Sequence, residues 1–129
     1  MITTNTYLHF DGNCRDAMTF YGKCLGTEPG FTPYPEQPDR IMHSELHSGP
    51  VVLMASDAHP GVAFRHGNNF SISLTCESLA EMERLFEAFG ENGQVMMPMH
   101  DAFWGGRFGM LTDQFGINWM FSFREPGQH

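Results

Sequence analysis

Phe70-Ser71-Ile72-Ser73-Leu74-Thr75-Cys76, followed by Ser78-Leu79-Ala80-Glu81-Met82, is the stretch from which the fold is read. Its first part alternates apolar and hydroxyl-bearing side chains, the period of a half-buried strand. Ser78 with Glu81 three residues on forms a capping box. Leu79, Met82, Leu85, Phe86 and Phe89 then recur at spacings of three and four, which predicts an amphipathic helix. Gly90 and Gly93 end it. Gln94 to Met99, Arg107 to Thr112 and Ile117 to Phe123 read as three more strands. His100 to Gly106 reads as a loop and Asp113 to Gly116 as a turn.

The first half says the same thing. Thr4 to Phe10 is a strand carrying the period-2 run Thr6-Tyr7-Leu8-His9-Phe10. Asp11-Gly12-Asn13 turns the chain, and Asn13 with Asp16 marks a helix start. Ala17, Phe20, Tyr21, Cys24 and Leu25 form one stripe, and Gly26 stops the helix. Glu28 to Tyr34, Ile41 to His47 and Val51 to Ala55 follow as strands. Tyr34 to Asp39 reads as an exposed loop and Ser48-Gly49-Pro50 as a tight turn. Asp57 to Asn69 connects the halves, and Glu125 to His129 reads as a frayed tail.

The expected fold is α+β: two βαβββ modules, at about residues 1–62 and 63–129, forming a single domain over 1–129. A half of about sixty residues buries too little surface to be robust alone. Two packed halves bury enough, and a cleft between curved sheets is where a small ligand would lie.

Composition narrows the function. The formal charge is −8, and the few Arg and Lys residues are scattered, so nucleic acid is repelled rather than attracted. The longest apolar run, Val51 to Ala55, is far short of the ~20 residues a spanning helix needs. The N-terminus carries no signal core, and three cysteines without a Cys-x-x-Cys pair suit a reducing, cytoplasmic setting. Cys24 and Cys76 read as small buried hydrophobes rather than nucleophiles.

Several phrases in order resemble the vicinal oxygen chelate superfamily, which holds glyoxalase I, bleomycin-resistance proteins, fosfomycin-resistance enzymes and extradiol dioxygenases. They are Tyr7 to Asn13, Phe20-Tyr21, Leu25-Gly26, Met42 to Leu46, Leu53 to Asp57, Met97-Pro98, Phe103-Trp104-Gly105, and Asp113 to Gly116 through Trp119. More narrowly, the chain resembles its PhnB-like branch, often labelled a 3-demethylubiquinone methyltransferase domain. The resemblance implies a half-barrel of curved mixed sheet with helices outside, and a homodimer. It also implies metal ligands on the first and last strand of each module. Laid on that pattern, Thr6, Met54, Ser71 and Met120 take those places. Two hydroxyls and two thioethers do not hold a divalent ion of the usual kind, so no metal and no other cofactor is expected.

Other residues carry candidate chemistry. His43, Glu45 and His47 alternate and share one strand face. That face lines the cleft, is merely solvated, or binds metal. Cβ atoms two residues apart lie about 7 Å from one another, so only two of the three could easily share one ion. On this reading Met42, Ser44 and Leu46 face the helix, as does His9 if Thr6 faces the cleft. Ser71 and Ser73 are expected to line the cleft, and Thr75 to be ordinary strand amphipathicity. Phe103, Trp104 and Arg107 form a Gly-flanked loop that could close over a flat ligand and answer an anion. Equally, Trp104 plugs the core and Arg107 pairs with an acid. Trp119 is expected in the core. Ten methionines, among them Met54 and Met120, suit an adaptable pocket or a loosely specified core.

Three functions compete. The first is a metal-free binder of a small apolar or aromatic molecule. The second is a lyase-, oxygenase- or transferase-type enzyme with a relocated site at His43 and Glu45. The third, a methyltransferase, lacks a Gly-x-Gly-x-Gly loop and is the weakest.

Overall fold

In the computed structural model, which describes residues 1–124, the duplication is explicit. The chain forms two compact units, Met1–Arg65 and His66–His129. The first holds β1 (Thr6–Phe10), α1 (Cys14–Leu25), β2 (Gly30–Tyr34), β3 (Gln37–Ser48) and β4 (Val51–Asp57). The second holds β5 (Ile72–Cys76), α2 (Leu79–Phe89), β6 (Gln94–Asp101), β7 (Arg107–Thr112) and β8 (Asn118–Phe123). Each unit has one four-stranded mixed sheet, ordered β1-β4-β3-β2 and β5-β8-β7-β6. In each, the first and last strands pair in parallel and the other neighbours run antiparallel. Neither sheet closes into a barrel.

Each helix packs on one face of its own sheet. In the first unit α1 buries Cys14, Ala17, Met18, Tyr21 and Cys24. The helix packs on β3 and β4, and Leu8, Phe10, Leu46, Leu53 and Ala55 of the sheet are all buried. In the second, Phe89 lies 4.6 Å from the Trp119 ring and 5.5 Å from Phe121. Burying side chains of this size contributes roughly 1.5–3 kcal/mol each. Trp119 is fully buried, as expected, and its Nε1–H donates to Asp113 Oδ2 at 2.8 Å.

The helix starts differ from one another. Ser78 Oγ accepts from Glu81 N at 3.1 Å, as the capping box requires. Glu81 returns its carboxylate to Glu77 N, at 3.0 Å, rather than to Ser78 N. At α1 the expected cap fails. Asn13 makes no side-chain cap bond and accepts instead from Asp11 N at 3.3 Å. Asp57, at the end of β4, supplies the missing acceptor. Its Oδ1 accepts from Gly12 N at 2.7 Å and Cys14 N at 3.0 Å, and its Oδ2 accepts from Ile41 N at 2.8 Å. A buried carboxylate with three backbone donors is well satisfied.

Three boundaries move. Residues 34–39 are not a loop: β3 begins at Gln37, leaving a tight Pro35-Glu36 turn. β4 continues through Asp57, and β6 through Asp101. Pairing explains the first shift, because Tyr34 is matched with Gln37. The expected tail, 125–129, lies outside the described residues. Met42 is also a correction. It is 42% exposed, because β3 gains one residue between the pairs Thr32–His43 and Pro33–Ile41. Pro33 has no N–H to give, and such positions tolerate a bulge. Ile41 thereby turns inward in place of Met42.

Asp57→Ala removes the acceptor of three buried N–H groups. It is expected to lower unfolding free energy by about 3 kcal/mol or more. Asp16→Ala is expected to change it by less than about 0.5 kcal/mol. Urea unfolding followed by far-UV circular dichroism checks both.

Candidate functional site

Strand period two leaves each sheet a face that its helix does not cover. On the first sheet the apolar pair Leu8 and Phe10 marks the helix side, so Tyr7 and His9 lie on the open side. This reverses the expected parity. Thr6 pairs with Leu53 on the helix-facing register, while Tyr7 pairs with Met54, which pairs with Glu45. Tyr7, Met54 and Glu45 therefore form one row across three strands.

His43, Glu45 and His47 share this face, and Glu45 joins the two imidazoles. Its Oε1 lies 3.0 Å from His43 Nε2 and its Oε2 lies 2.7 Å from His47 Nε2. The Tyr7 hydroxyl lies 3.1 Å from His43 Nδ1. Tyr7 also stacks obliquely on two imidazoles, with ring centroids 5.2 Å from His9 and 5.8 Å from His43. The hydrogen bonds from His43 and His47 hold the Glu45 carboxyl below its ordinary range. Glu45 is thus an anion that only accepts, and both imidazoles turn Nε2–H toward it. In neutral His43, Nδ1 then accepts the Tyr7 hydroxyl proton. Tyr7 escaped the sequence reading as a site residue. The buried pair Leu8 and Phe10 was the signal that could have found it.

The connection after β4 folds beside this face. His9, Tyr34, Ser56, His59, Phe64 and Arg65 are among the residues lining a cavity of about 440 Å³. Ser56 Oγ lies 3.5 Å from His9 Nδ1, and the Tyr34 hydroxyl donates to the Asp57 carbonyl at 3.2 Å.

The open face of the second sheet is different. Ser73 pairs with Met120, Met120 with Met110, and Met110 with Met97. Three thioethers and a hydroxyl cross four strands in one row, with Met110 and Met120 half-buried. By register, Ser73 occupies the place of Tyr7, Met120 that of Met54, and Met110 that of Glu45. Ser71, half-buried, precedes β5. Ser73 and Thr75 are exposed opposite Leu74, the expected alternation.

The aromatic loop does not join that row. Arg107 pairs with Phe123 on the helix-facing register and donates to Asp101 Oδ1 at 3.1 Å. Trp104 folds over Gly106, where an added Cβ would strike the Trp104 ring and the Phe123 carbonyl. Arg124 covers the Trp104 ring at 4.8 Å. Phe103 is fully exposed. Gly105, Gly106 and Arg107 help line a separate cavity of about 350 Å³ beside Leu79.

Divalent metal finds poor ligands at the positions where the resemblance puts it. With Thr6 turned to the helix side, the open-face residues in those rows are Tyr7, Met54, Ser73 and Met120, and a phenol, a hydroxyl and two thioethers suit Mg²⁺, Fe²⁺ or Zn²⁺ poorly; His9, also on the open side of β1, is the one imidazole on these four strands. Among the described residues, no group of three or more His, Cys, Asp or Glu side chains is arranged to hold an ion.

Two mixed sheets with this strand order, each carrying a helix on one face and a polar or thioether row on the other, define a duplicated βαβββ protein. The chain belongs to the glyoxalase/bleomycin resistance protein/dioxygenase superfamily, whose profile matches residues 4–121. Protein YjdN of Escherichia coli K12 is 31% identical, covering 88% of this chain and 90% of its own. The crystal structure of protein PA1353 from Pseudomonas aeruginosa superposes with a TM-score of 0.88 at 42% identity, covering 96% and 98% of the two chains. A putative 3-demethylubiquinone-9 3-methyltransferase, PhnB protein, from Bacillus cereus gives 0.80 at 22% identity over 95% and 99%, a likeness of fold. No helix among the described residues is long and apolar enough to cross a membrane.

Two chemical tests follow. Burial, reinforced by Asp57, pushes the Cys14 thiol up to about 12; burial and Glu81 push Cys76 up to about 11. Thiolate is then scarce near neutral pH. Iodoacetamide is expected to leave Cys14 and Cys76 unmodified in the native protein at about pH 8 and to alkylate both in guanidinium; mass spectrometry reads this. For Glu45 the folded-state value lies below the ordinary 4.5. Its stabilising contribution is therefore in place above that ordinary value and lost as pH falls through the lower one. The effect is small, because the side chain is 39% exposed. Between about pH 6 and pH 3, Glu45→Gln is expected to lose stability less steeply than the native chain, measured by urea midpoints.

Proposed function

We propose that this protein binds a small apolar or aromatic molecule in the cleft of a half-barrel, without the metal usual in its superfamily. In this reading the two units act as one domain, in a cytoplasmic homodimer that engages neither nucleic acid nor membrane. The observation that carries it is the row Ser73–Met120–Met110–Met97. Thioethers half-exposed on a sheet face adapt to apolar and aromatic surfaces of varied shape. Tyr7 and Met54 supply a comparable surface on the first sheet. Ser71, Phe103, Trp104 and Arg107 are further candidate contacts on this reading. The donor set at the family's metal positions supports the metal-free part.

A second reading has a specific observation in its favour. Glu45 oriented between His43 and His47 is an acid–base arrangement, with a carboxylate fixing the tautomer of a titratable ring. On that reading His43 is the general base and Glu45 its positioning partner.

The test uses protein labelled with ¹³C at methionine methyls. Titration with a panel of small aromatic compounds is expected to shift Met54, Met110 and Met120 saturably. Shifts confined to methionines other than these and Met97, or none, would count against the binding reading. Metal analysis of protein purified without chelator is expected to find only substoichiometric metal; one ion per chain would favour the enzyme.

A further inference from the structure

The hydrogen-bond inventory of the first open face goes further than a general apolar cleft. Glu45 accepts from His43 and His47 and has no proton to give. His43 uses Nε2–H on Glu45, and its Nδ1 takes the Tyr7 proton. His47 uses Nε2–H on Glu45. Within this cluster, what is left to offer a ligand is acceptor capacity: lone pairs of Tyr7 Oη, the second lone pairs of the Glu45 carboxylate, and neutral His47 Nδ1. With both imidazoles neutral, each donor in the cluster is engaged inside it. The Tyr7 ring lies obliquely against those of His9 and His43, the latter bonded to the carboxylate, and the π-face of a tyrosine attracts cations. The chain as a whole carries a formal charge of −8, which raises the local concentration of cations.

We infer that the Tyr7–His43–Glu45–His47 cluster recognises the protonated amine of a small aromatic ligand. The ammonium group donates to Tyr7 Oη and Glu45 while its apolar body lies along Met54. The neighbouring cavity differs in character, because the Arg65 guanidinium lines it, while His59 Nδ1–H is already given to the Pro60 carbonyl at 3.1 Å. The cationic end is therefore held at Glu45 and not there. An anionic ligand at the cluster would face the carboxylate with no spare donor and would be repelled. This inference rests on the small-molecule reading above and specifies its ligand class.

Three compounds of one shape separate the alternatives: tryptamine, 3-ethylindole and indole-3-propionate, which are cationic, neutral and anionic near neutral pH. Isothermal titration calorimetry of the full chain is expected to give saturable binding of tryptamine, about tenfold or more tighter than 3-ethylindole, and none of indole-3-propionate. Glu45→Gln and Tyr7→Phe are each expected to weaken tryptamine by about fivefold to tenfold. Their effect on 3-ethylindole is expected to be small, which a general loss of fold would not spare. Circular dichroism confirms that both variants are folded. 3-Ethylindole or indole-3-propionate binding as tightly as tryptamine would overturn the inference and leave the small-molecule reading standing. Failure of tryptamine to bind would overturn it too, and the methionine-methyl titration then judges the broader reading separately.

Discussion

The carboxylate of Asp57 holds the first unit together. It closes β4, caps the start of α1 through Gly12 and Cys14, and ties down the backbone of β3 at Ile41. Three elements meet at one anion that water does not reach. The desolvation cost of such a group is large, and three short backbone hydrogen bonds offset it. The side chains on the open face inherit their positions from this arrangement. With β1 and β4 in parallel register ending at Phe10–Asp57, Tyr7 falls beside Met54, and β3 lays Glu45 on the other side. The second unit uses a different device. Asp113 anchors its β7–β8 turn by accepting from Phe115 N, Ile117 N and Trp119 Nε1.

Local chemistry was legible and distant chemistry was not. The Ser78–Glu81 capping box and the Met82–Leu85–Phe89 stripe are written within a dozen residues, and α2 formed as read. Asn13 carried the same kind of cue and lost to Asp57, 43 residues from Cys14, a competitor that no local window contains. The bulge at Met42 depends on the neighbouring strand placing Pro33 opposite, so alternation failed there for a reason outside the strand. Alternation did group His43, Glu45 and His47 correctly, because they lie on the regular side of the bulge. Tyr7 was missed through a parity error: the ligand pattern of the resemblance put Thr6 on the open side, whereas Leu8 and Phe10 define the inward side.

The candidate site shows how much chemistry a short strand can organise. Residues two apart project together, so three polar side chains on β3 need no loop to bring them into contact. A single carboxylate between two imidazoles fixes which nitrogen of each ring carries hydrogen. That choice propagates to Tyr7, whose proton is drawn toward His43. A four-residue hydrogen-bonded chain thus acquires a polarity, with its lone pairs turned outward. The second sheet, built on the same frame, has thioethers in place of that chain and offers shape tolerance without directional bonding.

The register match between the two sheets has an engineering consequence. Glu45 and Met110 hold the same coordinate in their respective copies, as do Tyr7 and Ser73, and all four lie on the faces away from the helices. The hydrogen-bonded chain of the first sheet could be transplanted to the other copy by exchanging outward-pointing residues alone. Either sheet would then serve as an internal blank for the other, with both hydrophobic interiors left as they are.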